Sequence, residues 1–126
     1  MAQPDIIIVE DDDLVGEISS SILTEAGYAV QWVQDSREAE AAIKAGMPRL
    51  VITDIMMPGI TGMDICKGIK SEPQLSGIKV LVVSAKSFEA EKRRAFMFGA
   101  DGFLPKPFNA QLMLDTVKGL IAGPAK

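Results

Sequence analysis

The stretch Ile6-Ile7-Ile8-Val9-Glu10-Asp11-Asp12-Asp13 decides the fold. Four β-branched apolar residues in a row read as a strand covered on both faces, because a half-exposed strand would alternate apolar with polar. The run breaks off in four acids, so the carboxyl end of this strand opens onto charge. The same pattern recurs downstream. Leu50-Val51-Ile52-Thr53 stops at Asp54, residues 78–83 stop at Ser84, and Gly102-Phe103-Leu104 runs into Pro105-Lys106-Pro107. Residues 28–33 supply the remaining strand.

Helical patterns fill the intervals. Residues 14–26 carry Leu14, Ile18 and Ile22 at helical spacing, with Asp12 or Asp13 as cap and Gly27 as stop. Residues 36–45 are rich in alanine and glutamate, with Ser36 as cap and Gly46 as terminator. Further helices are predicted over 63–71, after the Pro58, Gly59 and Gly62 loop, and over 87–98, closed by Gly99. The last begins at Asn109 and carries Leu112, Val117, Leu120 and Ile121. Five strand–helix units in one chain imply an α/β fold: a parallel sheet with right-handed crossovers and helices on both faces.

Composition bounds the function. The 126 residues are 48% hydrophobic and 24% charged, which suits one domain over residues 1–126 that buries roughly two-thirds of its unfolded surface. A net charge of −4 argues against binding nucleic acid through bulk positive charge. The single cysteine, Cys66, excludes an internal disulfide and a thiolate zinc cage, fits a reducing compartment, and reads as a small core residue. With no histidine, a Ser–His–Asp triad and an imidazole metal site are both impossible. Met1-Ala2-Gln3-Pro4-Asp5 lacks the basic and apolar runs of a signal peptide, and no apolar run approaches the roughly 18 residues of a membrane span. A cytoplasmic protein is expected. The tail Ala122-Gly123-Pro124-Ala125-Lys126 suits either a true end or the start of a linker.

Open parallel sheets bind ligands beyond the carboxyl ends of their strands. There stand Glu10 to Asp13, Asp54, Ser84 and Lys106. Neighbouring first and third strands would bring carboxylates together, and like charges raise one another's pKa until a cation resolves the conflict. Mg2+ accepts one or two carboxylates, waters and a substrate phosphate. Phosphoryl transfer spreads negative charge over three equatorial oxygens, which the metal, the Lys106 ammonium and the Ser84 hydroxyl would share. Asp54 is then the nucleophile, forming an acyl phosphate.

Along nearly its whole length the chain resembles the receiver domain of two-component response regulators. The resemblance rests on Ile6-Ile7-Ile8-Val9-Glu10-Asp11-Asp12, on Asp54-Ile55-Met56-Met57-Pro58 with Gly62, and on Val82-Val83-Ser84-Ala85. Gly99-Ala100-Asp101-Gly102 and Lys106-Pro107-Phe108 complete it. It implies a flavodoxin-like sheet of strand order 2-1-3-4-5. It also implies Asp54 as phosphoacceptor, Asp11 as direct Mg2+ ligand, Glu10 acting through water, and the backbone carbonyl of Met56 as a third protein ligand. Ser84 and Lys106 would hold the phosphoryl group, and the Lys106–Pro107 bond would be cis. The switch aromatic falls on Phe103, where many members carry tyrosine; phenylalanine permits a rotamer change but no hydrogen-bonded readout. A sensor histidine kinase or phosphotransfer protein would donate the phosphoryl group. An output protein or effector domain would read it, with dimerisation on phosphorylation, no direct nucleic-acid or membrane contact, and no external substrate turned over.

The remaining residues have plainer readings. Asp12 and Asp13 suit a helix start, Tyr28 and Trp32 suit packing on the second strand, Arg93 and Arg94 suit a solvated helix face, and Met56 and Met57 flank the pocket. Phe96, Met97 and Phe98 cannot all face the sheet, so Met97 is expected outward, in a partner-binding patch near Phe103 and the last helix. Two rival functions are weaker. A flavin carrier needs a phosphate cradle where four acids stand, and a degenerate receiver acting only as an interaction module would not need all five functional groups.

Overall fold

A computed structural model describes residues 3–85 and 89–121. Five parallel strands form one sheet: β1 (Ile6–Val9), β2 (Val30–Val33), β3 (Leu50–Asp54), β4 (Lys79–Ser84) and β5 (Gly102–Pro105). Their order is β2-β1-β3-β4-β5. The helices are α1 (Asp13–Glu25), α2 (Ala39–Gly46), α3 (Gly62–Ser71), α4 (Glu89–Met97) and α5 (Ala110–Leu120).

Successive strand side chains point to opposite faces, and here both faces are covered. On β1, Ile6 and Ile8 join Leu23, Leu104, Met113 and Val117 in the core beneath α1 and α5. Ile7 and Val9 join Ile43, Ile65, Cys66, Ile69 and Ala95 in the core beneath α2, α3 and α4. Each fully buried aliphatic side chain contributes roughly 1.5–3 kcal/mol of transfer free energy. This two-sided burial is why β1 and the centres of β3 and β4 are unbroken apolar runs, whereas the edge strand β2 interrupts its run with the exposed Gln31.

Element boundaries follow local chemistry. Asp12 caps α1 by accepting from the Val15 amide at 3.0 Å, and Asn109 caps α5 by accepting from Leu112 at 2.7 Å. Gly27 and Gly99, at φ 101° and 100°, end their helices in the left-handed region. Thr61 and Asp64 form a reciprocal capping box at the start of α3. The expected start of the fourth helix at residue 87 lies outside the described residues, as does the tail 122–126.

Several expectations are corrected. The helix predicted over 36–45 opens as a separate 3-10 turn, Ser36–Glu38, before α2 begins. Its cap is Asp35, whose carboxylate accepts from the Arg37 amide at 3.0 Å, and not Ser36, whose hydroxyl bonds another loop. Gly46 is the last residue of α2 and does not terminate it. Met47 does so at φ 44°, while Gly46 is small because a Cβ there would meet Pro4 Cγ at 3.0 Å. Strand β2 begins at Val30 and not at residue 28, since Tyr28 donates its amide to Leu23 at the end of α1. The stripe of Leu14 and Ile18 faces solvent, at 66% and 47% exposure. The buried face of α1 carries Gly16, Ser19 and Leu23 instead, so a bare 3.6-residue period marks a face without saying which way it points. On α4, Met97 is the outward residue, 81% exposed, with Phe96 also exposed. Arg93 and Arg94 are solvated.

Cys66 is fully buried, with its Sγ 3.3 Å from the Phe98 carbonyl. Burial pushes its thiol pKa up to about 11, because the thiolate is poorly solvated there. At about pH 8 the folded chain is expected to react with a disulfide reagent only as fast as it unfolds, with full reactivity in denaturant. A rapid burst of labelling in native buffer would contradict this core position.

Candidate functional site

Register brings the functional residues to one edge. Val9 pairs with Thr53, Asp54 with Val83, and Ser84 with Pro105, so the residues that follow all emerge at the carboxyl ends of the strands. Oxygens of Glu10, Asp11 and Asp54 lie within 4.8 Å of one another. Lys106 Nζ forks between two of them, 2.7 Å from Asp54 Oδ2 and 3.0 Å from Glu10 Oε1. Glu10 and Asp54 are only 3% and 8% exposed, whereas Asp11 is open to solvent.

The loops explain these orientations. After Val9 the chain still alternates, turning Glu10 inward and Asp11 outward before Asp12 caps α1. Glu10 Oε2 accepts the Asp12 amide at 3.2 Å, and the Glu10 carbonyl accepts the Trp32 indole N–H at 2.9 Å. After Asp54, the Ile55 amide still donates to Val83 at 3.1 Å, and the Met56 amide turns back onto Asp54 Oδ1 at 3.2 Å. Gly62 donates to the Ile55 carbonyl, and a Cβ at position 62 would strike the Asp54 carbonyl. That close approach is why the motif needs glycine there. Lys106 stands between two prolines, its amide bonded to the Ser84 carbonyl at 2.8 Å and its bond to Pro107 cis. Ser84, the last residue of β4, is buried beside Asp54's partner Val83. Phe103 is half-buried and packs against the core shared by α2, α3 and α4.

The electrostatics are unbalanced. Burial raises the Glu10 carboxyl above its ordinary pKa, Lys106 opposes this, and the Asp54 charge adds to it. For Lys106, burial works to lower the ammonium pKa, but the Asp54 and Glu10 carboxylates outweigh it and leave it raised. By formal charge the three carboxylates count −3 against +1 for Lys106, an excess of −2 in a partly dry pocket. A hard divalent cation with oxygen ligands is the complement such a pocket lacks.

A parallel sheet of this order, with three clustered carboxylates and a lysine at its strand ends, defines an open α/β domain with an acidic switch-point site. Residues 6–118 match the model of the response regulator receiver domain, and the chain belongs to that family. It is 34% identical to the response regulator MprA of Mycolicibacterium vanbaalenii over 116 residues, 92% of this chain and 49% of that protein. It is 28% identical to the phosphate regulon transcriptional regulatory protein PhoB of Rhizobium meliloti, over 94% of this chain and 52% of that one. The chain thus spans about half the length of these relatives. Among solved structures, the Vibrio cholerae chemotaxis protein CheY4 superimposes with a TM-score of 0.88 at 28% identity, covering 95% of this chain and 100% of that one. The non-phosphorylated HemR receiver domain from Leptospira biflexa gives 0.84 at 29%, covering 98% of each. The protein is therefore a receiver domain of two-component response regulators, a signalling module of a family that binds Mg2+ at an acidic pocket. Among the described residues no helix is long and apolar enough to cross a membrane.

Sequence reading placed Trp32 only in packing and passed over Gln34. Trp32 holds the Glu10 carbonyl, and Gln34 Nε2 donates to the Asp11 carbonyl at 3.2 Å and to Asp13 Oδ1. Their signal was their place: alternate residues at the carboxyl end of the strand beside the acid run.

Replacing Lys106 by Met strands two buried carboxylates without a counter-charge. Lys106→Met is expected to lower the unfolding free energy by about 3 kcal/mol in chelator, as removal of one member of a buried pair does. The loss should shrink in Mg2+, because the cation takes over the neutralisation. Urea midpoints measured with and without Mg2+ check this, and equal losses in both would contradict the charge argument.

Proposed function

We propose that Asp54 is the phosphoacceptor of this receiver and that Glu10, Asp11, Asp54 and the Met56 carbonyl form its Mg2+ site, Glu10 acting through water. One observation carries the assignment. Asp54, the last residue of the central strand β3, stands between the acids that follow β1 and the Ser84 and Lys106 that end β4 and follow β5, nearly buried, with Oδ2 on Lys106 and Oδ1 on the Met56 amide. Those two donors fix the direction of the carboxylate, which a nucleophile in a confined pocket requires. Bound Mg2+ would offset charge on the carboxylates and on a phosphoryl oxygen.

In the transfer, an Asp54 oxygen forms the new O–P bond as the N–P bond of the donor phosphohistidine breaks. The bonding pair leaves on the imidazole, which takes up a proton. Lys106 moves from Asp54 to a phosphoryl oxygen, and the Ser84 hydroxyl donates to another. The domain turns over only its own phosphoryl group, in the cytoplasm where kinases are charged.

The partners follow from surface chemistry. Val15 and exposed Ile18 on α1, with Pro107 and Phe108 beside Lys106, line an apolar hollow next to the site, and Leu14 on the same helix is exposed as well. It suits an amphipathic helix of a histidine kinase or phosphotransfer protein. Exposed Phe96 and Met97 on α4, near Phe103, suit an output protein, effector domain or second copy that responds to the phosphorylated state. Phosphorylation shifts the population of that surface as Ser84 and Lys106 engage the new charge.

Incubation with acetyl phosphate and Mg2+ is expected to add one phosphoryl group by intact mass, with none in chelator. Asp54→Asn should fold normally and take none. Equal labelling of that variant would overturn the assignment.

A further inference from the structure

Trp32, Gln34 and Ser36 alternate along the chain as it leaves β2, and each directs its side chain to backbone groups of a loop carrying the site. Trp32 and Gln34 hold the acid loop after β1. Ser36 reaches the other loop, residues 55–61. Its Oγ donates to the Pro58 carbonyl at 3.0 Å and accepts the Ile60 amide at 3.1 Å, across 22 and 24 residues of chain. The hydroxyl is available because Asp35 caps the 3-10 turn in its place.

We propose that Ser36 is a positioning residue for the phosphorylation loop, holding its tip so that residue 56 presents a fixed backbone to the metal and to Asp54. The base of this loop is already held, by the Met56 amide on Asp54 Oδ1 of β3 and by the Gly62 amide, which closes the loop onto the carbonyl of its first residue, Ile55. Its tip turns at Gly59, φ +85°, where a Cβ would lie 3.5 Å from Ser36 Oγ and 3.3 Å from Arg37 Cγ. The corner is pressed onto residues 36 and 37. Ser36 is 2% exposed, so water does not replace the bonds when the hydroxyl is removed. A loop freed at its tip must be ordered again each time a cation or phosphoryl group binds, and the cost of that ordering appears as weaker binding. Ser36 touches neither the acid oxygens nor the metal; it acts through the loop.

The inference rests on the proposed Mg2+ site, and the test separates the two. Mg2+ is titrated into the full chain while the amide resonances of Glu10, Asp11 and Asp54 are followed, and exchange of the Ile60 amide is measured alongside. Ser36→Ala is expected to speed Ile60 exchange and to weaken Mg2+ about ten-fold, the low end of the loss when an outer-shell partner is removed. Ser36→Cys, a weak donor and acceptor of similar volume, should fall between. Val117→Ala, in the core beneath α5, loses stability but should bind Mg2+ as the parent does. Unchanged Mg2+ affinity in Ser36→Ala, or an equal loss in Val117→Ala, overturns the positioning role alone. Failure of the parent to bind Mg2+ overturns the site and the inference with it.

Discussion

Lys106 reaches Asp54 at 2.7 Å and Glu10 at 3.0 Å, and it supplies the +1 against three carboxylates. Two of those carboxylates are nearly buried, where an unpaired charge is costly. Without the lysine the strand ends repel; with it alone, two negative charges remain. The pocket is thereby stable enough to fold and still demands more positive charge. On the proposed assignment, a divalent cation and a phosphoryl group entering together would meet that demand, the cation offsetting the excess while the lysine turned to the incoming oxygens. In that proposal the atoms of the resting ion pairs are the ones that would handle the phosphoryl group.

The rest of the architecture keeps those atoms in place. A sheet covered on both faces leaves its strand ends as the open polar edge, and parallel register lines those ends up. Rigid strands supply Asp54 and Ser84; loops supply Glu10, Asp11 and Lys106. The loops are held by bonds to backbone groups, from Trp32, Gln34 and Ser36 on one side and from the Ser84 carbonyl on the other. Side chains that carry no chemistry thus set the precision of those that do.

Some apolar surface is not explained by core packing. Leu14 and Ile18 are apolar yet turned outward on α1 beside the pocket, and Met97 is outward on α4. Helix α1 buries small residues, Gly16 and Ser19, against the sheet, and Gly16 has no room for a Cβ because the Trp32 ring fills it. The larger apolar residues Leu14 and Ile18 are left at the surface. The same packing that seats Trp32 against the acid loop therefore exposes this apolar surface.

The order 2-1-3-4-5 came with the family resemblance, while the primary chain alone was enough for the existence of the strands, a parallel sheet and the acids at the strand ends. These depend on β-branched runs and abrupt changes of polarity, which are properties of neighbouring residues. Ser36 and Gly46 show where such reading stops. Each has the residue type of a local cap or terminator, but Asp35 competes for the cap and Pro4 occupies the space at Gly46. The outward turn of Leu14 and Ile18 was hidden for a related reason, since periodicity fixes spacing and not direction. Which hydroxyl bonds which loop, and which face of a helix meets the sheet, depends on groups tens of residues away. Only the packed fold brings those groups within reach and lets one contact exclude another.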